Sequence, residues 1–291
     1  MPVDQQRPSS FPPIRRLGPA DLKRCVALSL DRGWSPERAK WSLLLTASEV
    51  LGIDAPDGRG LAGAVVLTRW GPDLASVGMM LVAARYGRRG LGRALMEHLL
   101  AAAGEDAVVT LFATDMGRPL YEKLGFTPVR RNVSFVGRFR PSPGTDSPAV
   151  VRLAGQADMP AILAVDRTAF GADRGAIVGR LPGFADRIAV IENGHGIVGY
   201  GAAWRNHVTS TVIGPLVAPD AGAATRLIAE LAARVETPVR LDLDPDRPEL
   251  PAWAHAHGLE PVSRTVVMAH GDLKPRGTPE CLYTPISVAL A

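Results

Sequence analysis

The chain has 291 residues, 46% apolar and 21% charged. That is long enough for two ordinary domains, each with its own core, and the composition is that of a globular protein rather than a disordered one. No apolar run approaches the ~18 residues of a membrane span, and Cys25 and Cys281 lie far apart and outside any metal-ligand spacing, so neither a disulfide framework nor a zinc site is expected. The net charge of +4 rests on arginines that are dispersed except at residues 85–93, with no interleaved aromatics. Nucleic acid and membrane are therefore not expected as partners, and a reducing cytoplasm is the expected setting.

Residues 1–13 are polar and proline-rich, lack the apolar stretch of a signal peptide, and read as a loose, disordered tail. Residues 14–17 read as a strand, and a helix is expected from Asp21 to about Leu30. In Ser35-Pro-Glu-Arg38 the serine suits an N-cap and the proline a first helical position, so a second helix is expected to carry Trp41 and Leu43 to Leu45. Strands follow at Val50–Asp54 and Leu61–Arg69, then a turn at Trp70–Asp73 and a strand from Ala75 to Ala84. Leu91, Ala94, Leu95, Leu99 and Ala102 recur at helical spacing. Ala107–Thr114 is strand-like, Leu120–Leu124 a short helix stopped by Gly125, and Val133–Phe139 alternates as a strand.

Between the strand at 75–84 and the helix at 91 sits a turn with Gly87, Gly90 and Gly92 and four arginines, Arg85, Arg88, Arg89 and Arg93. Strand, glycine turn and helix together make an anion site. Glycine lets the backbone approach closely, the free N–H groups of a helix start point at the ligand, and guanidinium forks add permanent charge. The spacing Gly-x-x-Gly-x-Gly differs from the dinucleotide pattern Gly-x-Gly-x-x-Gly.

Gly87-Arg-Arg-Gly-Leu-Gly92, followed by Leu120-Tyr-Glu-Lys-Leu-Gly-Phe126 with one helix and one strand between, resembles the GNAT superfamily of N-acetyltransferases over residues 14–140. The family's loop is usually Gln/Arg-x-x-Gly-x-Gly/Ala; here Gly87 stands where Gln or Arg is usual, and Arg88 follows it. The resemblance implies acetyl-CoA as co-substrate. Its pyrophosphate would be held by Gly87, Arg88, Arg89, Gly90, Leu91, Gly92 and Arg93, and its pantetheine arm by backbone groups of Met80, Leu81 and Val82. It also implies Tyr121 as the acid beside the thioester sulfur, Thr114 where the family often has Asn, and an acceptor side near Trp34, Trp41 and Asp115. No residue is assigned to a metal.

Residues 141–148, Pro-Ser-Pro-Gly-Thr-Asp-Ser-Pro, read as a linker. Beyond them the order of elements recurs with a period of about 135 residues: strand 149–153, helices 158–170 and 176–181, strands 187–192, 196–204 and 210–217, helix 223–235, strand 239–243 and a helix ending near Gly258. The second copy has Asp220-Ala-Gly-Ala-Ala224 in place of the arginine-glycine loop and Ala254 in place of Tyr121. A strand-like tail is expected at Glu280–Ala291. The expected fold is thus α/β (α+β), two tandem GNAT-like domains, each a mixed, mostly antiparallel twisted sheet flanked by helices. One copy, 14–140, would react. The other, 149–291, would lack the cofactor loop and shape the acceptor pocket or a homodimer contact. The expected function is transfer of an acetyl group to a primary amine, on a small molecule or a peptide, by direct attack; the alternative is an acetyl-CoA sensor or scaffold.

Overall fold

The computed structural model describes residues 11–141, 150–206 and 210–290. Of the expected tail only residues 11–13, and of the expected linker only Pro141, fall among them. The chain forms two compact units, one of residues up to 67 with 79–102, the other of 68–78 with 103 onward.

In the first unit β1 (Arg15–Leu17), β2 (Glu49–Asp54) and β3 (Leu61–Arg69) pair antiparallel in that order, with Arg15 opposite Gly52 and Val50 opposite Val66. β4 (Leu74–Val82) follows β3, and its residues from 79 on belong to this unit, as do α1 (Leu22–Asp31), α2 (Arg38–Ala47) and most of α3 (Leu91–Ala103). β3 is buried along its length except at Arg69, as its unbroken apolar run implies. Trp41, Leu44, Val66, Leu95, Met96 and Leu99 form the buried interior. α2 starts later than its sequence suggests. Ser35 and Pro36 precede it, and Glu37 stands at its head in a left-handed conformation (φ 43°) with no side-chain cap. Glu37 is held there by a 2.7 Å ion pair to the buried Lys40 ammonium.

In the second unit the strand order is β4, β5 (Val108–Ala113), β12 (Glu260–His270), β6 (Thr127–Gly137), β11 (Val239–Leu243), β10 (Thr211–Val217), β9 (Gly196–Arg205), β8 (Arg187–Asn193) and β7 (Val150–Leu153), with β13 (Leu282–Thr284) on β10. β4 with β5 and β10 with β11 are parallel, and the other registered pairs are antiparallel. The helices of this unit are α4 (Arg118–Lys123), α5 (Met159–Phe170), α6 (Gly175–Val178), α7 (Leu181–Phe184), α8 (Ala221–Ala232) and α9 (Glu249–Ala256). Leu227, Ile228 and Leu231 of α8 join Ile213, Leu216, Leu241 and Leu243 in one buried cluster. The fold is mixed α/β with mostly antiparallel strands and flanking helices.

The last strand of each sequence repeat is exchanged. β12 pairs with β5 and β6, placing Val267 opposite both Phe112 and Arg130, while β6 also pairs with β11, placing Phe135 opposite Leu241. The sequence reading assigned no element to 260–270 and a strand to the tail. Among the described residues of that tail only Leu282–Thr284 pairs as a strand, because the backbone beyond it leaves β10 and runs against Gly78, where a Cβ would come within 1.9 Å of the Ala289 carbonyl. Ile286 and Leu290 are buried in that course.

The duplication is visible in side-chain detail. Arg15 on β1 grips Asp21 through both guanidinium nitrogens (2.7 and 3.1 Å) and Asp54 at the end of β2 (2.9 Å). About 137 residues on, Arg152 on β7 grips Asp158 (2.7 and 2.8 Å) and Glu192 on β8. These bidentate pairs tie the first two strands of each copy to the turn that opens its first helix.

Candidate active site

β4 keeps register with β5 only over Leu74–Val77, opposite Val108–Leu111. Met79 then takes a left-handed φ of 47°, uncommon for a residue with a Cβ, and redirects the strand ahead of Met80, Leu81 and Val82. Met80 and Val82 are half-buried and Leu81 is buried.

The turn after β4 has a frame and a free part. Ala84 N–H donates to Asp31 at 2.6 Å, and Arg85 donates to the Arg59 carbonyl at 2.8 Å, with Asp57 at 3.4 Å. Tyr86 is buried below, edge-on to Phe11. Arg85 is thus committed to holding the turn. Gly87 through Gly90 are exposed, and Arg88 (φ 59°) and Gly90 (φ 81°) both take left-handed backbone, which suits glycine at the second of them. The helical ladder of α3 begins with Ala94 N–H donating to Gly90 at 3.0 Å, and Gly90 has no side chain to cap the N–H groups of the first turn that follows it. Among the described residues, the N–H groups of Arg88 through Arg93 meet no partner. The Arg88 and Arg89 side chains form no ion pair there, whereas Arg93 pairs with Glu97 at 2.7 Å. An exposed row of free N–H groups at a helix start, flanked by guanidinium groups that form no ion pair among the described residues (Arg89 lying over the Tyr86 ring at 5.7 Å), is a place for an anionic phosphate.

The second copy differs at the corresponding helix. Asp220 is the N-cap of α8, and its carboxylate accepts the Ala223 N–H at 2.7 Å. The start of that helix already holds an anion of its own, a stronger reason than repulsion for it to take no phosphate. Asp220 three residues before Ala223 was the local signal for this cap.

In the second unit Thr114 follows β5 directly and precedes the turn into α4. Its carbonyl accepts from Gly117 (3.0 Å) and Arg118 (2.9 Å), and its hydroxyl from Gly117 at 3.3 Å. Thr114 and Asp115 are exposed. Tyr121 on α4 is buried, its ring edge-on to Phe126 at 5.9 Å. Its hydroxyl forms no hydrogen bond among the described residues, and burial pushes its pKa up to about 12. The phenol therefore stays protonated at neutral pH and is available as a donor. Of the two tryptophans, Trp34 is 40% exposed, while Trp41 is fully buried and donates its indole N–H to Ser29 at 2.8 Å. Burial makes Trp41 part of the packed interior of the first unit. The structure places the loop, Met80–Val82 and both tryptophans in the first unit, and Thr114, Asp115 and Tyr121 in the second. Among the described residues no cluster of three or more His, Cys, Asp or Glu side chains is placed to hold a metal, and no helix is long and apolar enough to cross a membrane.

Comparison with known proteins points one way. Residues 51–128 and residues 162–284 each match a family model described as an acetyltransferase (GNAT) domain. The uncharacterized N-acetyltransferase YitH of Bacillus subtilis (strain 168) is 29% identical over 179 residues, which is 61% of this chain and 63% of that relative. A crystal structure from Pyrococcus horikoshii assigned to the acetyltransferases superposes with a TM-score of 0.81 at 19% identity, covering 100% of this chain and 99% of that one. A tandem GNAT protein from the clavulanic acid biosynthesis pathway does so at 0.64 and 15% identity, covering 90% of this chain and 99% of that one. At such identities the structural likeness speaks for the fold alone.

Proposed function

Because this chain belongs to the GNAT acetyltransferases and carries two such domains in tandem, we propose that it uses acetyl-CoA to acetylate a primary amine, with the copy at 14–140 doing the chemistry. The observation that carries this reading is the contrast between two helix starts: α3 has free N–H groups behind an uncapped glycine, α8 has the carboxylate of Asp220. One acetyl-CoA per chain follows.

In this reading Gly87 to Arg93 hold the pyrophosphate, and Met80 to Val82 pair with the pantetheine arm, as the family resemblance implies. The amine attacks the thioester directly, and Tyr121 returns a proton to the departing thiolate. An acyl-enzyme is disfavoured by the cysteines. Cys25 is buried and its thiol is pushed up to about 12, the opposite of an activated nucleophile, and the Cys281 thiol is also raised by burial. No carboxylate stands in β4, so water or a group outside that strand takes the amine proton. The second copy, 149–291, shapes the acceptor side or a homodimer contact, and the protein works in the cytoplasm.

Calorimetry with acetyl-CoA and an amine panel read by free-thiol release test the proposal together. One-to-one binding with thiol release on at least one amine is expected. Absence of binding removes the whole reading, and tight binding with no thiol released on any amine replaces the transferase with a sensor.

A further inference from the structure

A cavity of about 360 Å³ opens in the second unit, on one face of β5, β12, β6 and β11. Its floor follows from register. Phe112, Val267 and Arg130 form one row across three strands, and Asn132 stands opposite Thr265, to which it donates at 3.1 Å. Leu74, Val129, Phe170 and Leu282 add apolar wall, and the proline-rich stretch 273–285 closes one side.

Five cations line this space, and most are neutralised in place. Arg174 is buried against Asp166 (2.5 and 3.1 Å), Arg276 pairs with Asp73 at 2.6 Å, and Arg131 pairs with Asp246. Arg130 and Lys274 have no ion pair or hydrogen bond among the described residues. Arg130 is exposed where it opens on the cavity; crowding by protein along its stem holds its guanidinium below its ordinary pKa, while the nearby Asp244 acts in the opposite direction. A guanidinium fork that opens on a cavity and makes no hydrogen bond or ion pair is placed to take its partners from a ligand. On the acidic side, Asp242 is satisfied by Ser134 (2.5 Å) and Arg240 (3.0 Å), while Asp244 only accepts the Asp246 N–H at 2.9 Å. Asp244 acts electrostatically on Arg130, so Arg130 and Lys274 together leave room for a single negative charge, and Asp244 works against a doubly charged phosphate.

We propose that this cavity binds a monocarboxylate with an apolar or aromatic body. The carboxylate lies on the Arg130 fork, and the body lies against Phe112, Val267 and Leu282. Arg is suited to this because its planar fork matches both carboxylate oxygens. The proposal uses no part of the loop at Gly87–Gly92 and stands or falls separately from acetyl transfer.

Calorimetry on the full chain without acetyl-CoA tests it with three probes that carry a phenyl ring on a short alkyl chain: 3-phenylpropionate, 3-phenylpropylamine and 2-phenylethyl phosphate. Saturable one-to-one binding of 3-phenylpropionate with a Kd below about 1 mM is expected, with the other two at least tenfold weaker. Arg130→Gln should weaken the carboxylate at least tenfold and Arg130→Lys less, both with an unchanged thermal melt, because Arg130 holds no structural partner. Equal or tighter binding of the amine or the phosphate overturns the ligand class. Binding unaffected by Arg130→Gln, or no binding of 3-phenylpropionate, overturns the site.

Discussion

Tyr121 and the two tryptophans show that residue type does not decide role, because exposure and partners do. Tyr121 is enclosed, its hydroxyl meets no partner among the described residues, and burial pushes its pKa up to about 12. Tyr121→Phe preserves the ring packing on Phe126 and removes only the proton, so kcat should fall about 10²-fold. The acetyl-CoA Kd should stay within about twofold, as steady-state kinetics and calorimetry would show. The sign of the shift gives a second outcome: a raised pKa keeps the neutral form, so Tyr121 should add no alkaline fall in kcat up to about pH 10. Trp41 is different, because its whole side chain is core and its N–H is already donated to Ser29. Trp41→Ala should cost about 3–5 kcal/mol in urea denaturation, while Trp34→Ala, at an exposed position, should cost under about 0.5 kcal/mol.

At the scale of the element, two features of similar sequence position behave oppositely because one helix start is capped and the other is not. Gly90→Asp places a carboxylate at the start of α3, as Asp220 does for α8. Space exists for the side chain, but the left-handed φ strains it. Acetyl-CoA affinity should fall at least tenfold with the fold retained, read by calorimetry and circular dichroism. The arginine grips at the first strands are the second case. Arg15 holds Asp21, and Arg152 holds Asp158, each at about pKa 2 against an ordinary 3.8. In each the folded state has the lower pKa, so the unfolded chain takes up the proton first. Their stabilisation is complete above about pH 4 and is lost as pH falls from 3.8 toward 2. Asp21→Asn should flatten the fall of melting temperature over that window.

At the scale of the molecule, the exchange of β6 and β12 makes the two sequence repeats depend on each other. A fragment ending at residue 140 keeps β5 and β6 but lacks β12, which is registered to both. It would expose two strand edges in the middle of the sheet, an aggregation hazard. Residues 1–140 expressed alone should be insoluble or unfolded, and co-expression with residues 150–291 should restore a soluble complex that copurifies. A soluble, cooperatively melting 1–140 fragment would show the exchange to be dispensable.

The sequence by itself determined what is local: most helices and strands to within a few residues, the glycine turn before α3, the Leu120–Phe126 signature, and a second copy with an aspartate where the first has arginines. Each is written within a dozen residues, where backbone conformation, capping and periodicity act. Only the tertiary structure decided what depends on partners far along the chain. It buried Trp41 and left Trp34 open. It drew Glu260–His270 in as a strand, although Pro261 and the exposed polar start of that stretch weaken its pattern. It also brought Arg130 into a cavity with residues up to 155 positions away, within electrostatic reach of Asp244 but with no ion pair or hydrogen bond among the described residues. Side chains separated by more than 100 residues have no local signal for one another, and their pairing follows from which strands become neighbours.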